Sequence, residues 1–360
     1  MTVFEASAQI REKRVAGDRR SLAIRVICVS AVLLCIMSIA SLTVGASGTS
    51  LLEALIAWGS GEDIGLRERV ILFDIRAPRT LMGVLVGASL AVSGAVMQGL
   101  FRNPLADPGL VGVSAGAGLG AILAIVLGGL LPPAIAAFAG IYTVPIAAFL
   151  GGWLTTMLLY KVSTNGGRTS VAVMLLAGIA VGALSGALSG VLVYMADDAQ
   201  LRDLTFWGLG SLAGATWTKF AVAAPLIILS LAATPFLAEG LNGLTLGEAV
   251  AQHLGIRVQR MKNVAILTVA GATGAAVAVS GGIGFVGIVV PHLLRLLIGP
   301  DHRYLLPASA LLGASLLLVA DMISRTIIAP AELPIGIVTA TIGGPFFLYI
   351  LLRNRGILDM

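Results

Sequence analysis

Apolar residues come in long unbroken runs along this chain, and polar residues come in short tufts between them. A run of about 20 apolar residues crosses a bilayer as a helix, because every backbone N–H and C=O is then satisfied within the segment. Ten such runs are predicted, at 22–44, 80–101, 110–131, 134–160, 171–195, 217–238, 263–281, 283–298, 305–328 and 334–352. Pro132 and Pro133 separate the third run from the fourth. Gly281 and Gly282 separate the seventh from the eighth, which is short enough to predict a broken or partial crossing. The fold class is an all-α polytopic membrane protein of about ten helices. It comprises an N-terminal segment 1–21, one transmembrane domain 22–352 and a tail 353–360.

Composition agrees: 58% of residues are hydrophobic and 11% charged, against roughly 25% charged in a soluble domain. A soluble core, intrinsic disorder and a disulfide scaffold are excluded; Cys28 and Cys35 share the first apolar run and are expected to be inert core atoms. The net charge of +5 sits in tufts rather than on one basic face with exposed aromatics, which excludes a nucleic-acid reader. The first run exceeds the apolar stretch of a signal peptide and is taken as a retained span. An even number of spans puts both termini on one side. Placing that side in the cytoplasm leaves 16 Lys and Arg inside and 7 outside, so both termini are predicted to be cytoplasmic.

Gly178, Gly182, Gly186 and Gly190 recur every fourth residue in the fifth span, and shorter stripes occur at Gly83 and Gly87 and at Gly112, Gly116 and Gly120. Such stripes let helix backbones approach closely, or leave room along a passage or moving interface. No Lys follows a Gly, so no phosphate-binding P-loop exists, and the GxGxxG match at 282–287 lies in a membrane run without the strand a dinucleotide site needs. His253, His292 and His302 have no metal-site spacing. No catalytic, cofactor or metal site is expected. Asp321 and Arg325, one turn apart, are the only charged pair inside a predicted span. The segment 239–262 is the longest polar loop on the inner side, and from Leu246 to Arg257 it reads as a short amphipathic helix stopped by Gly255. It suits a groove in a soluble partner or the lipid interface.

Several pieces resemble one known family. They are Arg76-Ala77-Pro78-Arg79-Thr80, Ser93-Gly94-Ala95-Val96-Met97-Gln98 with Asn103-Pro104-Leu105-Ala106-Asp107-Pro108, and Leu246-Gly247-Glu248-Ala249 with Leu254-Gly255. Further on come Gly284-Phe285-Val286-Gly287 with Val290-Pro291-His292, then Asp301-His302-Arg303, and Glu332-Leu333-Pro334-Ile335-Gly336. In this order they resemble the permease subunits of binding-protein-dependent ABC importers for ferric siderophores, haem and cobalamin. The resemblance implies a type II ABC importer permease in the bacterial inner membrane, working as a homodimer with the passage on its axis. It also implies two ATPase subunits below and a periplasmic binding protein above. The chain itself is then no enzyme, and ATP is used by the partner.

By the same resemblance, Gly247, Glu248, Ala249, His253, Leu254, Gly255 and Arg257 belong to a coupling helix that docks on the ATPase. Arg76, Arg79 and Arg325 look like the cations that receive acidic side chains of the binding protein. The inner gate falls between the fourth and fifth spans, where Val171 and Ala172 stand in place of polar residues and a greasy constriction closes by dewetting. The segment 199–212 looks more like haem permeases than cobalamin permeases. A path along Met174, Gly178, Gly182, Gly186, Gly190, Tyr194 and Met195 suits a flat apolar ring, with Arg202 placed to meet a propionate. No haem is expected to be held permanently. A ferric siderophore or cobalamin is the alternative cargo. More distant readings are an ion-coupled carrier, which more often has a carboxylate at mid-membrane and an inverted repeat, and an intramembrane enzyme.

Overall fold

The computed structural model describes residues 19–45, 65–132, 134, 140–166 and 168–353. The N-terminal segment up to residue 18 and the tail beyond 353 lie outside the described residues, as do Pro133 and most of the start of the fourth run. The structure is almost wholly helical. The helices that concern the site are α1 (Arg20–Thr43), α2 (Ala77–Leu100), α3 (Val113–Leu127), α4 (Thr143–Ser163), α5 (Val171–Met195), α6 (Asp198–Leu209) and α7 (Trp217–Ala233). They continue with α8 (Ala238–Leu244), α9 (Glu248–His253), α10 (Val258–Ser280), α11 (Val286–Ile298), α12 (His302–Ser324) and α13 (Ile335–Arg353). Among the described residues eight helices are long and apolar enough to cross a membrane, and the shorter apolar α11 and α13 bring the number to the ten expected.

Boundaries moved where local chemistry overrode hydropathy. The second crossing begins at Leu66, well before residue 80, because the mixed charged and apolar stretch ahead of α2 continues the helix through a π-helical segment, Val70–Arg76. The loop helix α9 is shorter than expected, because Gly247 lies at φ 99, which no helical residue adopts. Side chains cap the ends that the apolar runs leave open. Ser170 accepts from Val173 N–H ahead of α5, Asp197 and Gln200 form a capping box on α6, and Asp301 accepts from Arg303 N–H ahead of α12.

The core is built around α2 and α10, the helices most fully enclosed by the others. Glycine sets the closest approaches. A methyl group on Gly87 would sit 2.5 Å from the Gly313 carbonyl of α12, and one on Gly94 would run into the Gly287 carbonyl of α11. Gln98, one turn beyond Gly94, donates to that same Gly287 carbonyl at 3.2 Å. The family-like motifs around Gly94 and Gly287 are thus two halves of one helix contact.

The helix α11 has 13 residues and is about 20 Å long, short of a hydrocarbon core of about 30 Å. The break at Gly281–Phe285 therefore lies inside the membrane. It is tolerated because protein backbone satisfies it. Gly282 N–H donates to Trp207 O, Ser211 N–H to Ser280 O, and Ile335 N–H to Gly210 O. The ends of α6 and α10 and the start of α13 thereby complete one another.

Cys28 and Cys35 are exposed on α1 rather than buried in the core as expected, because α1 is a peripheral helix with few buried residues.

Candidate functional site

The helix α12 spans 23 residues, about 35 Å, and separates two polar ends of the bundle. At its C-terminal end three arginines converge. Arg79 grips Asp321 with Nε and Nη2 at 3.0 and 2.8 Å and Glu332 with Nη1 and Nη2 at 2.8 and 2.9 Å. Arg325 approaches Asp321 at 3.5 Å and donates to Ser41 O at 2.9 Å. Arg76 donates to Leu42 O and Thr43 O at 2.7 and 2.9 Å. The last carbonyls of α1, at the negative end of that helix, thus receive two guanidinium groups.

These are the three arginines read above as receiving acidic side chains of the binding protein. Arg76, Arg79 and Arg325 do share one end, but each is buried, and the buried carboxylate of Asp321 draws Arg79 and Arg325 inward. Only Glu332 on this cluster is substantially exposed.

The wall of α5 is the second feature. Among its residues only Met174, Ser185 and Leu192 are buried. Added methyl groups on Gly182, Gly186 and Gly190 would meet nothing within 4 Å, whereas those on Gly112, Gly116 and Gly120 would strike α4. One pattern therefore has two uses: packing in α2 and α3, and an open, smooth face in α5. Gly178 is half-buried on the same helix. Tyr194 and Met195 are exposed at the end of α5, 93% and 61% respectively, and Arg202 is exposed on α6. No carboxylate pairs with Arg202 among the described residues. Met174 is a correction. It is 1% exposed and belongs to the core, and at 21 residues from Met195 it stands about 30 Å away along the helix.

The third feature lies at the opposite end of the bundle. Leu246, Val250 and Leu254 are exposed on and beside α9, as are Ala249, His253 and Arg257, while Ala251 beneath them is fully buried. Gly255, at φ 85, turns the chain toward α10. Glu248 does not point away from the protein as a free partner contact. Its Oε1 accepts from Lys262 Nζ at 2.7 Å, and the same ammonium donates to Thr169 O at 2.9 Å. Thr169 ends a two-residue hairpin, Thr164–Asn165 with Arg168–Thr169, directly ahead of α5. Gln259 also holds it, accepting from Thr169 N–H at 2.9 Å and donating to its hydroxyl at 2.7 Å. Val171 is half-buried and Ala172 exposed at the start of α5. Sequence reasoning missed Lys262, Gln259 and Thr169. The only signal was the i,i+3 pair Gln259 and Lys262, whose common partner lies about 90 positions earlier.

Nearby, Asn242 ties Asp301 and His302 to α8 at 2.7 and 2.9 Å, and the Arg303 guanidinium beside it holds the Asp301 carboxyl down at about 2.

A bundle of apolar helices with an open glycine face on α5, an exposed short helix in a polar loop at one end and an arginine–carboxylate cluster at the other fits the membrane subunit of a transport system. The chain belongs to the FecCD transport family, whose family model matches residues 28–353. It is 50% identical over 285 residues, 79% of this chain and 84% of the relative, to the hemin transport system permease protein HmuU of Yersinia pestis. It is 43% identical over 302 residues, 83% of this chain and 78% of the relative, to the cobalamin import system permease protein BtuC of Halobacterium salinarum. Its fold superposes with a TM-score of 0.80 and 32% identity, over 91% of this chain and 99% of the other, on a metal-chelate type ABC transporter solved in an inward-facing conformation. The protein is a multi-pass ABC permease of the bacterial inner membrane.

Proposed function

We propose that two copies of this chain form a passage through which haem, delivered by a periplasmic binding protein, enters the cytoplasm at the expense of ATP hydrolysed by two separate ATPase subunits. The observation that carries the reading is the wall of α5, where Gly182, Gly186 and Gly190 leave open space beside a helix that buries only three of its own residues. A membrane helix so exposed and so smooth suits a face shared between a second copy and a bulky, flat, apolar solute. Likeness to a hemin permease at 50% identity, against 43% to a cobalamin permease, favours haem among the cargoes. Arg202, exposed just beyond α5 and with no carboxylate paired to it among the described residues, suits a propionate.

Both termini and the α8–α10 loop lie on the cytoplasmic side in this proposal, following the excess of Lys and Arg there. The exposed Leu246, Val250 and Leu254 then face the ATPase, with Gly247, Glu248, Ala249, His253, Gly255 and Arg257 shaping the loop. The binding protein docks at the opposite end. There an incoming acidic side chain competes with Glu332 for Arg79, while Arg76 and Arg325 brace the site from below.

Uptake into liposomes tests the whole proposal. Vesicles carrying this chain and its ATPase are offered haem, a ferric siderophore and cobalamin, each with its own binding protein. Haem accumulation that requires both ATP and the haem-binding protein is the expected result. Uptake of only another solute replaces the cargo and keeps the architecture, and uptake without ATP overturns the ABC mechanism.

A further inference from the structure

We infer that Lys262 and Gln259 are positioning residues that tie the ATPase-docking loop to the inner gate, so that movement of α9 reaches the start of α5 through Thr169. The inference rests on the docking and gate roles proposed above. It goes beyond them in naming the physical connection.

Three separate elements meet at one ammonium. Glu248 is the first residue of α9, Lys262 lies just inside α10, and Thr169 ends the hairpin before α5. Lys262 is 3% exposed, yet its Nζ has two strong acceptors, the Glu248 carboxylate at 2.7 Å and the Thr169 carbonyl at 2.9 Å. A buried ammonium stripped of either acceptor leaves a desolvated charge poorly compensated, so the two contacts resist being broken one at a time. The Glu248 side chain is 45% exposed, which makes it the outer handle of the connection.

The gate side is held from a second direction. Gln259 engages both the N–H and the hydroxyl of Thr169, and its amide also donates to Asn263 Oδ1 at 2.7 Å, which fixes its orientation. The Thr169 hydroxyl additionally pairs with Thr164 across the hairpin at 2.9 Å. From Thr169 the path to the gate is one residue long. Ser170 caps α5 through Val173 N–H and accepts from Met174 N–H, so Val171 and Ala172 lie within a first turn that moves with the hairpin. Met174, whose N–H closes that turn on Ser170 O, is buried in the core and carries the contact inward.

A connection of this kind transmits position and leaves the ATPase's chemistry untouched. Its removal should therefore separate hydrolysis from transport. The test uses the full complex of two permeases, two ATPases and binding protein in liposomes, and reads ATP hydrolysed per solute molecule imported. In Lys262→Met, hydrolysis is expected to persist while uptake per ATP falls about tenfold, the scale of coupling energies within such networks. Lys262→Arg, which keeps a cation with several donors, is expected to restore most of the ratio. Gln259→Leu, which removes both contacts to Thr169 without unpairing a charge, should lower the ratio in the same direction and carries the test should Lys262→Met fail to assemble. An unchanged ratio in Gln259→Leu and in any assembled Lys262→Met overturns the inference. Hydrolysis and uptake falling in parallel overturn it too, because a purely structural role would do that. Failure of the wild-type complex to import would instead count against the proposed function.

Discussion

Arg79 and Asp321 sit 242 positions apart and meet in a buried two-pronged ion pair, with Nη2 to Oδ1 at 2.8 Å. The pair joins α2 to α12 at the end of the bundle where α1 also terminates. Asp321 is fully buried and faces Arg325 as well, so it is the shared counter-charge of two guanidinium groups. Removing one partner of a buried pair is far more damaging than replacing both by apolar groups. Asp321→Asn is expected to cost about 3–5 kcal/mol, read as a marked drop in the thermal unfolding midpoint in detergent. Arg79→Met combined with Asp321→Leu should recover part of that loss, and a double variant no better than the single would contradict this account.

Glu332 shares Arg79 with Asp321 but is partly exposed. In Glu332→Gln the outward face of Arg79 loses its internal carboxylate competitor. Tighter binding of the binding protein is expected, by roughly the 1 kcal/mol or less of an exposed ion pair. Weaker binding in a titration would mean that Glu332 itself is a contact.

The glycines make a contrast that one series of variants can read. Gly87→Ala places a methyl group 2.5 Å from the Gly313 carbonyl, and overpacking of this kind costs typically about 1–3 kcal/mol. Gly186→Ala meets open space within the protomer and should leave its unfolding midpoint unchanged, while reducing dimer yield or uptake. Equal destabilisation by the two would show that α5 packs as α2 does.

Leu254 is 63% exposed beside the buried Ala251. Leu254→Glu puts a charge on the apolar face proposed to dock on the ATPase and should weaken ATPase capture in detergent at least about tenfold, the loss of an interface hot spot. The isolated permease should unfold at the same temperature. Undiminished capture would remove Leu254 from the interface.

Arg202 is exposed on α6 with no carboxylate paired to it among the described residues. Arg202→Glu should cut haem uptake several-fold through like-charge repulsion with a propionate, and Arg202→Lys should retain most of it. ATP hydrolysis without solute is expected to be the same in both. Equal uptake in the two variants would take Arg202 off the path.

The ten apolar helices and the break near Gly281 were legible in the sequence because the bilayer imposes a length and a demand for internal hydrogen bonding that any 20-residue window reveals. The short helix of the 239–262 segment was legible for a similar local reason: it lies in the longest polar segment on the inner side, and Gly255 does follow its end at φ 85. Where the prediction failed, the cause was a distant partner. Arg76, Arg79 and Arg325 stand at a helix end with no sign in the sequence of their burial, but Asp321 and the α1 carbonyls draw them inside. Met174 and Met195 share a helix, yet Met174 is 1% exposed and Met195 61%, a difference set by which neighbours pack against each position and not by the apolar run they share.

Hydropathy by itself determined that the chain is a helical membrane protein and where its apolar crossings lie, since these follow from the solvent. Tertiary structure alone decided the use of each stripe and charge. The Gly87 and Gly186 stripes are alike in sequence and opposite in space, and Lys262 becomes a link between loop and gate only when the fold brings Thr169, 93 positions earlier, within 2.9 Å of its ammonium. Side-chain pairing over such separations depends on how helices pack, and no periodicity along the chain encodes it.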